Sequence, residues 1–228
     1  MDKRFLGILG MIIIIFIAIF AISQNSNNSS GGGNNSSGGQ VTKHIEGKGQ
    51  KGVTLIEYGD YECPICEAYY QPLKQVAAQY NNDIYFQFRN LPLTAIHQNA
   101  FAGARAAEAA SLQGKFWQMH DKLYENQNSW VSSSTPLDIF TQYAQQIGLN
   151  VSQFKNDYAS NAVNDSINAD ISEFDKTHQE KATPTFFLDG RYIANTDLVD
   201  AQTGAPSVDK IGAVIKAEID KKNTSANQ

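Results

Sequence analysis

Apolar and polar positions divide the chain into three regimes. Phe5 to Ile22 is an unbroken run of apolar residues and glycine, Ser23 to Gln40 contains only Ser, Asn, Gly and Gln, and from Val41 onward apolar residues recur with helical or strand periods. In this last part, Val53–Tyr58 (V-T-L-I-E-Y) predicts a short buried strand, and Ile84–Arg89 (I-Y-F-Q-F-R) an alternating, aromatic-rich one. Between them Pro64 suits the first position of a helix, which Pro72 should kink. Leu91-Pro92-Leu93 then breaks the pattern.

A long helical stretch follows. Ile96–Gln113 is alanine-rich with Gly114 placed to end it, and Lys115–Glu125 sets Phe116, Met119, Leu123 and Tyr124 on one face. Thr135-Pro136-Leu137-Asp138 reads as N-cap, N1 proline and acidic N3 of a helix that stops at Gly148. Asn150 can cap a shorter segment bearing Phe154, and Val163–His178 shows Val163, Ile167, Ile171 and Phe174 at helical spacing. Two short strands around Asp189-Gly190 form a hairpin signal, and Val208–Ile219 closes the domain as an amphipathic helix. The sum is an α/β unit, residues 41–222, with a helical insertion over about 95–180 and a polar tail at 223–228.

The N-terminal run has the length of a membrane-spanning helix. Lys3 and Arg4 before it predict a cytoplasmic N-terminus over residues 1–4 and an exported remainder. A cleaved signal sequence is the alternative, with Ala21 and Ser23 as small residues near its end, but such h-regions are shorter. No cysteine follows the run to carry a lipid. Residues 23–40 form a flexible tether whose r.m.s. span is roughly 25 Å.

The 228 residues carry a net charge of −5 without a basic cluster, which argues against a nucleic-acid partner. They contain two cysteines, Cys63 and Cys66, at the strand-to-helix junction Y-G-D-Y-E-C-P-I-C. A C-x-x-C closes too small a loop to act as a staple. Zinc would need two further ligands, and His44, His97, His120 and His178 are scattered, so no metal is expected. A redox pair remains. With Cys63 at the helix N-terminus, unpaired N–H groups and the helix dipole favour its thiolate, while Cys66 one turn on should be buried.

Cys63-Pro64-Ile65-Cys66 after a strand, Leu91-Pro92-Leu93 with His97, the run Gly114–Asp121 (G-K-F-W-Q-M-H-D), and Thr183-Pro184 opening a late hairpin together resemble the DsbA-like branch of the thioredoxin superfamily, in particular its membrane-anchored members. The resemblance covers about Gly52 to Ile219. It implies a thioredoxin fold with an inserted helical domain and an extracytoplasmic protein disulfide oxidoreductase of a bacterial cell membrane. Cys63 would be the exposed nucleophile and Cys66 the resolving thiol. Pro184 would be a cis-proline packed against the disulfide, and Thr183 would offer backbone groups to an extended substrate. Glu57 sits where the superfamily has a buried acid that moves protons for the resolving cysteine; a solvated strand glutamate is the other reading of that position. Position 65 is Ile where strongly oxidising members often carry histidine, leaving the helix N-terminus to stabilise the thiolate. The implied partners are exported cysteine-containing proteins and a quinone-linked membrane reoxidase, with no cofactor beyond the Cys63–Cys66 disulfide. A reductase or isomerase of the same fold, or a peptide-binding chaperone with an incidental C-x-x-C, stays open as an alternative.

Overall fold

The computed structural model describes residues 39–226. The expected cytoplasmic start (1–4), the membrane-spanning run (5–22) and all but the end of the tether lie outside the described residues. Among those described, no helix is long and apolar enough to cross a membrane.

Five strands form one sheet: β1 (His44–Glu46), β2 (Val53–Gly59), β3 (Ile84–Asn90), β4 (Thr185–Leu188) and β5 (Arg191–Ile193), in the order β1-β3-β2-β4-β5. β2 and β3 run parallel, as the crossover through helix α1 (Pro64–Gln79) demands, and the other pairs are antiparallel. Alternation along β2 divides the core. Val53 and Leu55 face Tyr69, Leu73 and Val76 of α1 and Ile211 and Ile215 of the closing helix α8 (Val208–Ala226). Ile56 and Tyr58 face the opposite way, toward Leu91, Phe187 and Phe174. Asp189 and Gly190, both at positive φ (48° and 78°), make the β4–β5 turn, a conformation that Asp-Gly tolerates and most residues resist.

Between β3 and β4 lie α2 (Ala100–Ser111), α3 (Phe116–Glu125), the single turn α4 (Gln127–Trp130), α5 (Pro136–Gln146), α6 (Val151–Tyr158) and α7 (Asn161–Asp175). Their apolar faces gather Met119, Leu123, Trp130, Phe140 and Phe154 into a core that also includes both cysteines. The insertion therefore roofs the end of α1 that carries the C-x-x-C. Gly103 permits this closeness: a Cβ there would sit 3.1 Å from both Trp130 and Tyr61.

Several boundaries differ from expectation. The alanine-rich helix starts at Ala100, not Ile96, because Leu93 to His97 is held in turns by side chains described below. Thr135 precedes α5 without a side-chain cap, whereas Asn150 does accept from the Gln153 N–H. Ser160, unforeseen as a cap, starts α7 two residues early. α1 continues through Pro72, and α8 continues to Ala226, so residues 223–226, expected as tail, are helical. β1 was not expected, since three residues carry too little periodicity to read. It is secured by a buried polar network in which Asp170 accepts from the N–H and hydroxyl of Thr42 at 2.8 and 2.7 Å and from Asn90 N–H at 2.9 Å. Glu108 accepts from Asn90 Nδ2 at 2.6 Å and meets His44 Nε2 at 2.7 Å.

Candidate active site

The end of β2 delivers the chain to the start of α1, and the site is built at that junction. Cys63 is the N-cap of α1, Pro64 is its N1 residue, and the Cys63 carbonyl accepts from Glu67 N–H at 3.1 Å. Asp60 shapes the approach. Its Oδ1 accepts from Glu62 N–H at 2.8 Å, an Asx turn, and its carbonyl accepts from Cys63 N–H at 3.1 Å. Asp60 Oδ2 accepts from Leu93 N–H at 2.9 Å and pairs with His97 Nδ1 at 2.7 Å, while Glu62 accepts from Asn99 N–H at 2.6 Å. Two acids thus tie the cysteine loop to the segment leading into α2. Gln127 of α4 donates to the carbonyls of Tyr61 (2.9 Å) and Cys63 (3.0 Å) from the other side.

Thr183–Pro184 is a cis peptide bond, as the resemblance implied, and Cys63 Sγ lies 3.4 Å from the Thr183 carbonyl oxygen. Both cysteines are free thiols in this structure. Cys66 is fully buried, as expected. Cys63 departs from its expected exposure: the residue is only 5 % exposed, because the Thr183 loop and the roof of the insertion close over it. Ile65 is 55 % exposed and forms the apolar lip of the site instead.

The two thiols are driven apart electrostatically. A hydrogen bond from the Cys66 thiol lowers the Cys63 pKa to about 6, helped by Thr183 and the backbone N–H groups of Cys66 and Ile65 and opposed by burial. Burial pushes the Cys66 thiol well up, reinforced by its bond to Cys63 and the charges of Cys63 and Glu57. At pH 7 the Cys63 thiolate therefore outnumbers its thiol roughly ten to one, whereas Cys66 keeps its proton.

Glu57 is buried, 2 % exposed, which decides against the solvated reading. Burial and then the Cys63 charge raise its pKa to about 8. No cation offsets the burial, Phe88 stands opposite it on β3, and its Oε1 has no hydrogen-bond partner among the described residues. A cavity of about 50 Å³ connects Glu57 with the surface between Tyr70, Lys74, Trp117, His120 and Asp121. That is room for a few waters. His120, buried against Tyr61 and Tyr124 and held down to about 3 by desolvation, is a neutral wall of this cavity and not a base.

The predicted residues Cys63, Pro64, Ile65, Cys66, Glu57, Thr183 and Pro184 thus surround one junction. Asp60, Glu62, His97 and Gln127 were not anticipated there. Asp60, three residues before Cys63 at a strand end, carried the one usable signal, an Asx-turn acid where the chain must reverse. Among the described residues no group of His, Cys, Asp and Glu is arranged to hold a metal ion.

A parallel-antiparallel sheet of this order, a C-x-x-C at the first helix and a cis-proline facing it define a thioredoxin fold, and the helical insertion makes it DsbA-like. Residues 40–216 match the family model described as Thioredoxin, and the chain belongs to that family. Among solved structures, oxidised BdbD from Bacillus subtilis superposes with a TM-score of 0.64 at 21% identity, covering 80% of this chain and 97% of that one. Wolbachia pipientis α-DsbA1 gives 0.66 at 16% identity, covering 81% and 94%. Curated relatives include Na(+)/H(+) antiporter NhaA 1 of Mycolicibacterium gilvum, 35% identical over 150 residues, or 65% of this chain and 23% of that protein. The protein of the same name from Salinispora arenicola is 32% identical over 179 residues, 78% of this chain and 26% of that protein. The chain thus spans about a quarter of the length of these curated relatives.

Proposed function

We propose that this chain is a membrane-tethered, extracytoplasmic thiol-disulfide oxidoreductase that donates the Cys63–Cys66 disulfide to exported cysteine-containing proteins. The observation that carries the reading is the asymmetry of the pair, a Cys63 at the helix N-cap with a pKa near 6 beside a fully buried Cys66 that holds its proton. A substrate thiolate attacks Cys63 Sγ, the Sγ–Sγ bond breaks, and Cys66 leaves as a thiolate that takes a proton. Glu57, protonated below about pH 8, is the acid we assign as its donor. A second substrate thiolate then attacks the substrate sulfur of the mixed disulfide and releases the Cys63 thiolate, so two electrons pass to the enzyme. A low Cys63 pKa makes that leaving group good and stabilises the reduced enzyme, which favours oxidation of the substrate. The Thr183 backbone beside Cys63 supports a substrate bound in extended form.

Export and anchoring rest on Phe5–Ile22 and the polar tether. A membrane reoxidase of the quinone-linked type would return the pair to the disulfide, with no other cofactor. The antiporter relatives share only about a quarter of their own length with this chain, and no transport is carried over. Their names do favour a domain that works beside a membrane. Cys66→Ala, expressed in a bacterial host, tests the reading: mixed disulfides between Cys63 and exported proteins are expected on acid-quenched gels. Their absence, with Cys63 still reactive, would favour a peptide-binding module instead.

A further inference from the structure

The sheet face away from α1 is only partly covered. There Ile56 and Tyr58 of β2, Arg89 of β3, Phe187 of β4 and Tyr192 of β5 lie side by side by register. α7 covers one end through Phe174, whose ring meets Tyr58 edge-on at 5.1 Å. Beyond it opens a cleft of about 400 Å³, walled by Phe187 and by Tyr192, which is 44 % exposed. That volume is within the range of small-molecule sites.

Arg89 lines this cleft with an incomplete set of partners. Its Nη1 donates to Tyr58 Oη at 2.7 Å, and its guanidinium carbon lies 5.5 Å from the Tyr58 ring centre. Its buried Nε has no acceptor, and no carboxylate among the described residues pairs with it. The one acid in the cleft, Glu173, is already bound by Lys176 at 2.7 Å, and Arg89 acts on it only as a weaker, longer-range charge. A partly buried guanidinium without an anion is unfavourable, and its planar fork matches a carboxylate in two parallel hydrogen bonds. Thr177 and Gln179 also line the cleft and add neutral polar groups.

We infer that this cleft is a second ligand site, separate from the cysteine pair, for a small molecule carrying a carboxylate on a flat apolar body: the carboxylate on the Arg89 fork, the body against the exposed ring of Tyr192, which meets Phe187 edge-on at 6.0 Å. The inference does not depend on the redox reading. Titration of the full-length chain with N-acetyl-L-phenylalanine, followed by NMR, tests it against N-acetyl-L-phenylalaninamide, which has the same body without the charge. Saturable binding of the acid is expected, weakened roughly tenfold or more in the amide, as the loss of a charge-assisted hydrogen bond implies. Arg89→Gln should lower acid affinity by a similar factor, and Tyr192→Ala should lower it without altering the Tyr58 contact. Equal affinity for acid and amide, no saturation by either, or inorganic phosphate binding as tightly as the acid would overturn the proposal. The acid–amide comparison uses the unaltered chain and so decides the matter even where a variant fails to fold. Unchanged acid binding in folded Arg89→Gln would equally overturn it.

Discussion

Replacing Glu57 by Gln removes one ionisable group and little volume. The folded pKa of Glu57 is about 8 against an ordinary 4.5, so the carboxyl is protonated in the folded chain where the unfolded chain ionises it. The folded pKa is raised, so this group's stability is fully present below pH 4.5 and is lost as pH rises toward 8. Each pH unit in that window costs about 1.4 kcal/mol, or about 3 kcal/mol between pH 5 and 7.5. Cys63 runs the other way: its folded pKa of about 6 lies below the ordinary 9, so in the reduced protein its contribution grows from pH 6 to 9 and is lost as pH falls through 6. The two slopes oppose each other between pH 6 and 8. Reduced wild-type protein should therefore gain less stability over that range than reduced Glu57→Gln, which lacks the opposing Glu57 contribution, while buried His120 adds the same rising contribution to both. Guanidinium unfolding of both proteins at several pH values measures the difference, in which the Cys63 contribution largely cancels. A difference that stays constant from pH 5 to 8 would refute the assignment of Glu57 as a buried neutral acid.

Other outcomes follow from the same geometry. Cys66→Ala removes the largest stabiliser of the Cys63 thiolate, so the thiolate absorbance of Cys63 should titrate at a higher pH than in the wild type, where its midpoint is near 6. Gly103→Ala would gain up to about 1 kcal/mol in an open helix. Here the new methyl meets Trp130, fixed by its Nε1–Leu123 hydrogen bond and by Phe140, so calorimetry should show a loss of about 1–3 kcal/mol instead. Asp170→Ala strands the Thr42 and Asn90 donors and should cost about 3 kcal/mol or more by denaturant titration, with the Cys63 titration unchanged.

Much of this was legible in the chain because it rests on short-range pattern. Strand alternation, Pro64 at N1, the Asp189-Gly190 turn and the apolar stripes of α3 and α7 each act within a few residues of their own position. What escaped depends on distant partners. β1 is held by Asp170 and Glu108, which lie 128 and 64 residues from Thr42 and His44. Asp60 and Glu62 gain their role only when Leu93, His97 and Asn99 arrive beside them. The burial of Cys63 has the same origin, since Thr183 and the inserted helices close over it from far along the chain. Glu57 was placed by motif and settled by burial.

The reduction potential of the Cys63–Cys66 couple tests the oxidase reading most directly. Relative to a thioredoxin thiol with pKa about 7, a Cys63 pKa near 6 favours the reduced enzyme at pH 7 by about 1 kcal/mol, or roughly 20 mV, and Ile65 adds no charge of its own. Equilibration with glutathione should therefore give a potential above the roughly −270 mV of thioredoxin, toward the roughly −120 mV of strong oxidants, with the reduced form the more stable on denaturation. A potential at or below about −270 mV, with the oxidised form the more stable, would contradict it.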